Sequence, residues 1–149
     1  MTISRSRAKQ ITQRLLKAST LDDVQIWISG SRDGNTRFAR NQPTTTGDIE
    51  ELTITVTATT DGRSATVTGN RDDNESLQAM VKQAEEMARM SPQDPEAMPP
   101  LGPQKYASVN AVDAKVRKFD AADRASFVKT VVEYAKGKGL IASGLMRYC

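Results

Sequence analysis

Three patterns in this chain predict an α+β domain: an apolar stripe at helical spacing near the N-terminus, a threonine-rich segment alternating with period two, and a second helical stripe that stops just before a cluster of prolines. The predicted order is an N-terminal helix, an antiparallel four-stranded meander, a second helix, a Pro-rich strap, a third helix and an incomplete terminal strand. At 149 residues, 38% hydrophobic and 26% charged, the chain is neither disordered nor fibrous in composition. A chain of this size buries roughly two thirds of its unfolded surface, enough for a core.

Residues 1–21 hold Arg5, Arg7, Lys9, Arg14 and Lys17 and no acid. Ala8, Ile11, Leu15 and Ala18 follow the i, i+3, i+7 spacing of a helix with one buried face. A basic, Ser-containing, acid-free start also describes an organelle transit peptide, and periodicity alone does not separate the two. From Val24 the period becomes two: Val24, Ile26 and Ile28 share one face, and Trp27 falls on the other, where an indole would pack under a loop or a partner. Ser29 to Asn35 reads as a loop in which Asp33-Gly34 can take positive φ. Thr36 to Asn41 reads as a second strand, and Pro43 confines the residues after it to an edge or a turn.

The next hairpin can be checked against itself. Leu52, Ile54, Val56 and Ala58 face one way, and Thr53, Thr55, Thr57 and Thr59 face the other. Asp61-Gly62 suits a two-residue type I′ turn, which would set Ala58 opposite Ala65 and Val56 opposite Val67. A slip of one residue would put the whole apolar set in water. Asp72 and Glu75 then form a capping-box-like start to a helix whose stripe is Leu77, Met80, Val81, Ala84, Met87 and Ala88. That helix stops near Met90, since Ser91-Pro92 opens a segment with five of the six prolines. Such a strap is a semi-rigid connector where it adopts polyproline II, and a connector lying across the domain fits better than a ligand for an SH3-type groove. A third helix is predicted from Asp120 as cap to about Lys136, with Val128, Val132 and Ala135 on its stripe and Gly137 or Gly139 ending it. Ile141 to Tyr148 reads as a strand that stops without a following turn, as in a chain cut in mid-domain.

No chemical constellation in the sequence is convincing. Gly137-Lys138-Gly139 with Ala142 matches G-x-G-x-x-A, but the glycines follow a helix, whereas a dinucleotide site needs a strand feeding a helix N-terminus. Cys149 has no histidine to act as its base, because the chain contains none. Adjacent acidic pairs such as Asp22-Asp23, Glu50-Glu51, Asp72-Asp73 and Glu85-Glu86 diverge on a strand or helix. One cysteine with scattered carboxylates is a poor zinc set. Catalytic and metal residues are therefore expected to be none. The single cysteine points to a reducing, cytoplasmic compartment, and no apolar run approaches membrane length. A net charge of +3 and 5% aromatics give no support to nucleic-acid binding, even with the basic first helix.

From Thr36 to Tyr106 the chain reads T-R-F-A-R-N-Q, an alternating hairpin with Gly-Arg at its turn, N-R-D-D-N-E-S-L, and S-P-Q-D-P-E-A-M-P-P. In that order and spacing it resembles the N-terminal domain of the TldD/PmbA family, zinc metallopeptidases also called modulators of DNA gyrase. The resemblance implies a first helix that belongs to the domain, favouring that reading over a transit peptide. It implies that residues 1–149 are a truncated N-terminal domain: helix, meander and helix over 1–90, the strap over 91–105, and the start of a further α/β portion over 106–149. It also implies that zinc and the His-Glu-x-x-x-His motif lie in a C-terminal half not present here. The expected partners are that catalytic half or a paralogous subunit, together with an extended peptide. Arg37, Phe38, Arg40 and Asn41 are the candidate contacts, against the plainer reading of an ordinary strand with exposed arginines. A free-standing, non-enzymatic peptide- or protein-binding scaffold is the alternative.

Overall fold

In the computed structural model, which describes all residues except 1, 2, 22 and 112, the order is α1 (Arg5–Ala18), β1 (Asp23–Ala39), β2 (Gln42–Thr60), β3 (Arg63–Gly69), α2 (Asn74–Met90), α3 (Ala114–Lys118), α4 (Ala121–Gly137) and β4 (Gly144–Tyr148). The four strands form one antiparallel sheet in the order β3-β2-β1-β4. The chain divides into two compact units, residues 1–30 with 51–105, and residues 31–50 with 106–149.

The first unit holds the hydrophobic core. Ile11 and Leu15 of α1, Ile54, Val56 and Ala58 of β2, and Leu77, Met80, Val81, Ala84 and Ala88 of α2 are buried together. Val24, Ile26 and Ile28 pack against that cluster from β1. The hairpin has the predicted register: Val56 faces Val67, Ala58 faces Ala65, and Asp61 and Gly62 both have positive φ, as a type I′ turn demands. On the opposite face Thr57 and Thr66 hydroxyls meet at 2.8 Å and Thr55 and Thr68 at 3.2 Å, so the threonines pair across strands. Trp27 lies on the face expected of it, but it is 67% exposed in this chain.

Several local expectations change. Ser29 to Asn35 is not a loop: β1 runs through it without a break, and Gly34 does not take positive φ. The meander thus has three long strands, and the fourth strand of the sheet is β4, paired with β1 from Gly34↔Tyr148 to Phe38↔Gly144. The predicted 141–148 strand begins only at Gly144. Pro43 is the second residue of β2, where a strand start tolerates its missing N–H. The α2 cap is Asp73, which accepts the Ser76 N–H at 2.9 Å. Asp72 instead accepts from Arg7 Nε at 2.8 Å, while its carbonyl accepts from Arg14 Nη1 at 2.9 Å; this pairing holds α1 to the start of α2.

Residues 91–105 contain no helix or strand. Their beginning is fastened to the β2–β3 turn, where Asp94 N–H donates to Gly62 O at 2.7 Å and the Arg63 guanidinium donates to Ser91 O. In the second unit, α3 is a single short turn that the sequence pattern does not predict; the Asp113 carboxylate accepts from Lys115 and Val116 N–H. The predicted third helix is α4. Asp120 and Asp123 form a reciprocal capping box, and Gly139, at φ +66°, lets Leu140 N–H reach back to Ala135 O at 2.8 Å. No helix among the described residues is long and apolar enough to cross a membrane.

Candidate functional site

The four candidate contact residues lie at one end of the β1–β2 hairpin, in the second unit. Arg40 (φ +50°) and Asn41 (φ +60°) form the two-residue turn between the strands, a geometry that asparagine tolerates better than most side chains. Asn41 is bonded through both ends of its side-chain amide and through its backbone. Its Nδ2 donates to Leu140 O at 2.9 Å, its Oδ1 accepts from Ala142 N–H at 2.7 Å, and its own N–H donates to Ala142 O at 3.1 Å. Arg40 N–H donates to Ser143 Oγ at 3.3 Å. The turn is thereby latched to the segment that leads into β4. Phe38 faces Gly144 across the ladder, and a Cβ on that glycine would come within 2.8 Å of the ring. Arg37 and Arg40 are both exposed, and no ion pair joins either to another of the described residues.

Beside this hairpin a cavity of about 210 Å³ is lined by Thr36, Pro43, Thr44, Thr45 and Thr46 with Ala121 and Ala125 of α4. Thr36 is buried and shares a 3.1 Å hydroxyl contact with Thr46, whose hydroxyl also donates to Asn35 O at 3.0 Å. One side chain nearby is not singled out by the sequence pattern. Arg124 is completely buried, with Nη2 2.9 Å from Asp48 Oδ2. Among the described residues its Nε and Nη1 have no hydrogen-bond partner. Its hydrogen bond to Asp48, with its charge and that of Arg32, holds that carboxyl below the ordinary aspartate range in spite of desolvation. Extending the α4 stripe backwards by one turn from Val128 would have landed on Arg124. Gly34 makes room for it, because a Cβ there would lie 2.7 Å from the guanidinium carbon and 2.8 Å from Asp48 Oδ1. A second arginine, Arg147 of β4, grips Asp33 of β1 at 2.9 Å and likewise lowers its carboxyl.

These groups can bind and orient, but they do not assemble a hydrolytic centre. The chain has no histidine and one exposed cysteine, and among the described residues no three His, Cys, Asp or Glu side chains converge. They do not fit zinc, which takes three or four such ligands in one shell.

Comparison with known proteins relates part of this chain to a family. Residues 25–88 match the family model described as PmbA/TldA metallopeptidase domain 1, and that stretch belongs to this domain family. Among solved structures, the chain is similar to TldE from Thermococcus kodakarensis, with TM-score 0.76 and 16% identity, over 88% of this chain and 29% of that one. A candidate modulator of DNA gyrase from Bacteroides thetaiotaomicron gives TM-score 0.72 and 16% identity, over 97% of this chain and 39% of that one. Another from Thermotoga maritima gives 0.68 and 15%, over 94% and 32%. At such identities the likeness is one of fold, and the chain spans about a third of the length of these structures. No curated protein matches it.

Proposed function

We propose that this chain is the N-terminal, non-catalytic part of a TldD/PmbA-like metallopeptidase that acts in the cytoplasm on unfolded or extended peptides. The match to domain 1 of a metallopeptidase family, in a chain with no histidine and no converging ligand set among its described residues, carries this reading. Zinc, and the hydrolysis it supports, then belong to a catalytic half outside these residues. The part left to this chain is recognition: exposed Arg37 and Arg40, with Phe38 beside them, supply charge and an apolar surface next to a sheet whose main-chain groups can pair with any extended segment. A paralogous subunit of the same family is the expected partner.

The purified chain should hold no stoichiometric zinc by elemental analysis and should leave a casein-like substrate intact. Mixed with a separately expressed catalytic half from the family, it should be retained on that half, and Arg37→Ala with Arg40→Ala should weaken peptide capture by the pair. Near-equimolar zinc with chelator-sensitive cleavage by the chain alone would overturn the assignment.

A further inference from the structure

Charge is divided unevenly between the two units. Residues 31–50 and 106–149 carry eleven of the 21 basic side chains but only seven of the 18 acidic ones, so the second unit holds more than the whole net charge of +3. Most of its acids are engaged. Asp33 is gripped by Arg147 and Asp48 by Arg124, while Asp113, Asp120 and Asp123 cap helices and Glu133 lies 3.7 Å from Lys129. The stretches 34–47 and 134–148 contain no acidic residue. The fold brings these two stretches together at the β1–β2 turn, through the Asn41 bonds to Leu140 and Ala142, the Arg40 bond to Ser143 and the ladder that starts at Phe38↔Gly144. Arg37 and Arg40 come from the first stretch. Lys136 and Lys138 come from the second, in the tight turn that the Leu140 N–H closes on Ala135 O at 2.8 Å. All four are exposed, and among the described residues none of them makes an ion pair. The strand β4 begins at this corner and runs away from it.

We propose that this corner selects extended peptides rich in acidic residues. The inference rests on the reading of the hairpin end as a peptide site and adds the sign of the charge that the site prefers. A single exposed ion pair contributes little. Four cations with no carboxylate among them act together, however, on a chain that carries several acids. An extended peptide presents alternate side chains on one face about 7 Å apart, so acids at every second position reach successive cations without bending the backbone. The surroundings favour a peptide over a nucleic acid. Leu140 and Ile141, in the same turn, are 59% and 76% exposed, and aliphatic side chains between the acids of a peptide would cover them, whereas a phosphodiester backbone offers them nothing apolar.

The test uses labelled peptides that share one frame of serine and leucine and differ only in carrying glutamate, glutamine or lysine at alternate positions. Titrated with the full chain and followed by fluorescence anisotropy, the glutamate peptide should bind at least about tenfold more tightly than the glutamine one, and the lysine peptide should not bind. The preference should fade at about 1 M salt, where the screening length falls to about 3 Å. Arg37→Glu with Arg40→Glu should remove the preference. Lys136→Glu with Lys138→Glu, which touches neither the hairpin turn nor Asn41, should reduce it as well. Lys9→Glu with Lys17→Glu, on the exposed side of α1, should leave it unchanged. Circular dichroism checks that each variant is folded, and the lysine pair carries the test if the arginine pair is not. No difference between the glutamate and glutamine peptides, including no binding of either, would overturn the proposal; the peptidase reading would still stand or fall by retention on a catalytic half. A preference that survives both corner pairs, or that is lost with the α1 pair, would also overturn it. So would a single-stranded oligonucleotide of equal charge that binds more tightly than the glutamate peptide, since the corner would then be a nucleic-acid site.

Discussion

Glu85 offers the sharpest test of how the first unit is held together. It sits on α2, is only 5% exposed, and reaches back to the end of α1. Its Oε1 accepts from Ser19 Oγ and from Thr20 N–H, both at 2.7 Å, and its Oε2 accepts from Thr20 Oγ1 at 2.5 Å. Arg89 lies 3.5 Å away, one turn further along α2. Ser19 is the C-cap of α1, so one carboxylate ties a helix end and the chain leading to β1 onto α2. Burial by itself would raise this carboxyl, but the bonds from Thr20 and Ser19 and the Arg89 charge outweigh it and hold the group below its ordinary value of 4.5. A lowered folded value means stability that is present above the unfolded value and is lost as pH falls through the folded one. Glu85→Gln keeps the shape and loses the charge, so about 1–2 kcal/mol is expected at neutral pH, taking bonds to a charged acceptor as roughly twice as strong as neutral ones. Glu85→Ala takes the acceptor from the Thr20 N–H and hydroxyl, while the Ser19 hydroxyl keeps Leu21 O at 3.1 Å, and about 2–4 kcal/mol is expected. Thermal melts followed by circular dichroism at pH 7 and pH 3 would measure this, at about 2–4 °C per kcal/mol for a chain of this size. The gap between wild type and Glu85→Gln should narrow at the lower pH. A gap of equal size at both pH values, or none at pH 7, would refute the assignment of an acid-labile tie.

Other perturbations separate the remaining parts. Val56→Asp buries a carboxylate on the face shared with Val67 and should cost more than about 4 kcal/mol, whereas Thr57→Asp on the other face should be mild; equal losses in a denaturant titration would mean the register is misread. Gly34→Ala drives a methyl into the Arg124–Asp48 pair and should destabilise by about 1–3 kcal/mol despite the stiffer unfolded chain, and wild-type stability would show that the guanidinium has another place to go. Asn41→Ala removes two hydrogen bonds and puts alanine at positive φ, so amide exchange at Ala142 and along β4 should quicken while the β2–β3 hairpin keeps its protection; unchanged exchange at Ala142 would show that the latch is not needed.

Much of the fold was legible along the chain because it depends on local periodicity. The β2–β3 hairpin was readable from the alternation at Leu52 to Ala58 and the backbone freedom of Asp61-Gly62, and the ends of α2 and α4 from Ser91-Pro92 and Gly139; helical spacing gave most of their stripes, but Met87, expected on the buried stripe of α2, is 40% exposed while Glu85 is buried. Asp33-Gly34 misled for a physical reason. Glycine in a strand is required either by backbone angle or by a neighbour that needs the space, and sequence order alone does not distinguish them. Here the neighbour is Arg124, ninety residues away in the chain. The same limit applies to Asp72 and Asp73: either can cap a helix, and Arg7 and Arg14 on α1 decide which one does. Nor does the sequence show that the Asn41 amide bonds Leu140 O and Ala142 N–H, about a hundred residues on. Residue type and short-range spacing were enough for most of the elements, the hairpin register and the lack of histidine. Packing between distant segments set the rest: β4 closes on part of β1, Arg124 is buried against Gly34, and some polar groups stay open while others are consumed, because each of these depends on residues that meet only in the folded chain.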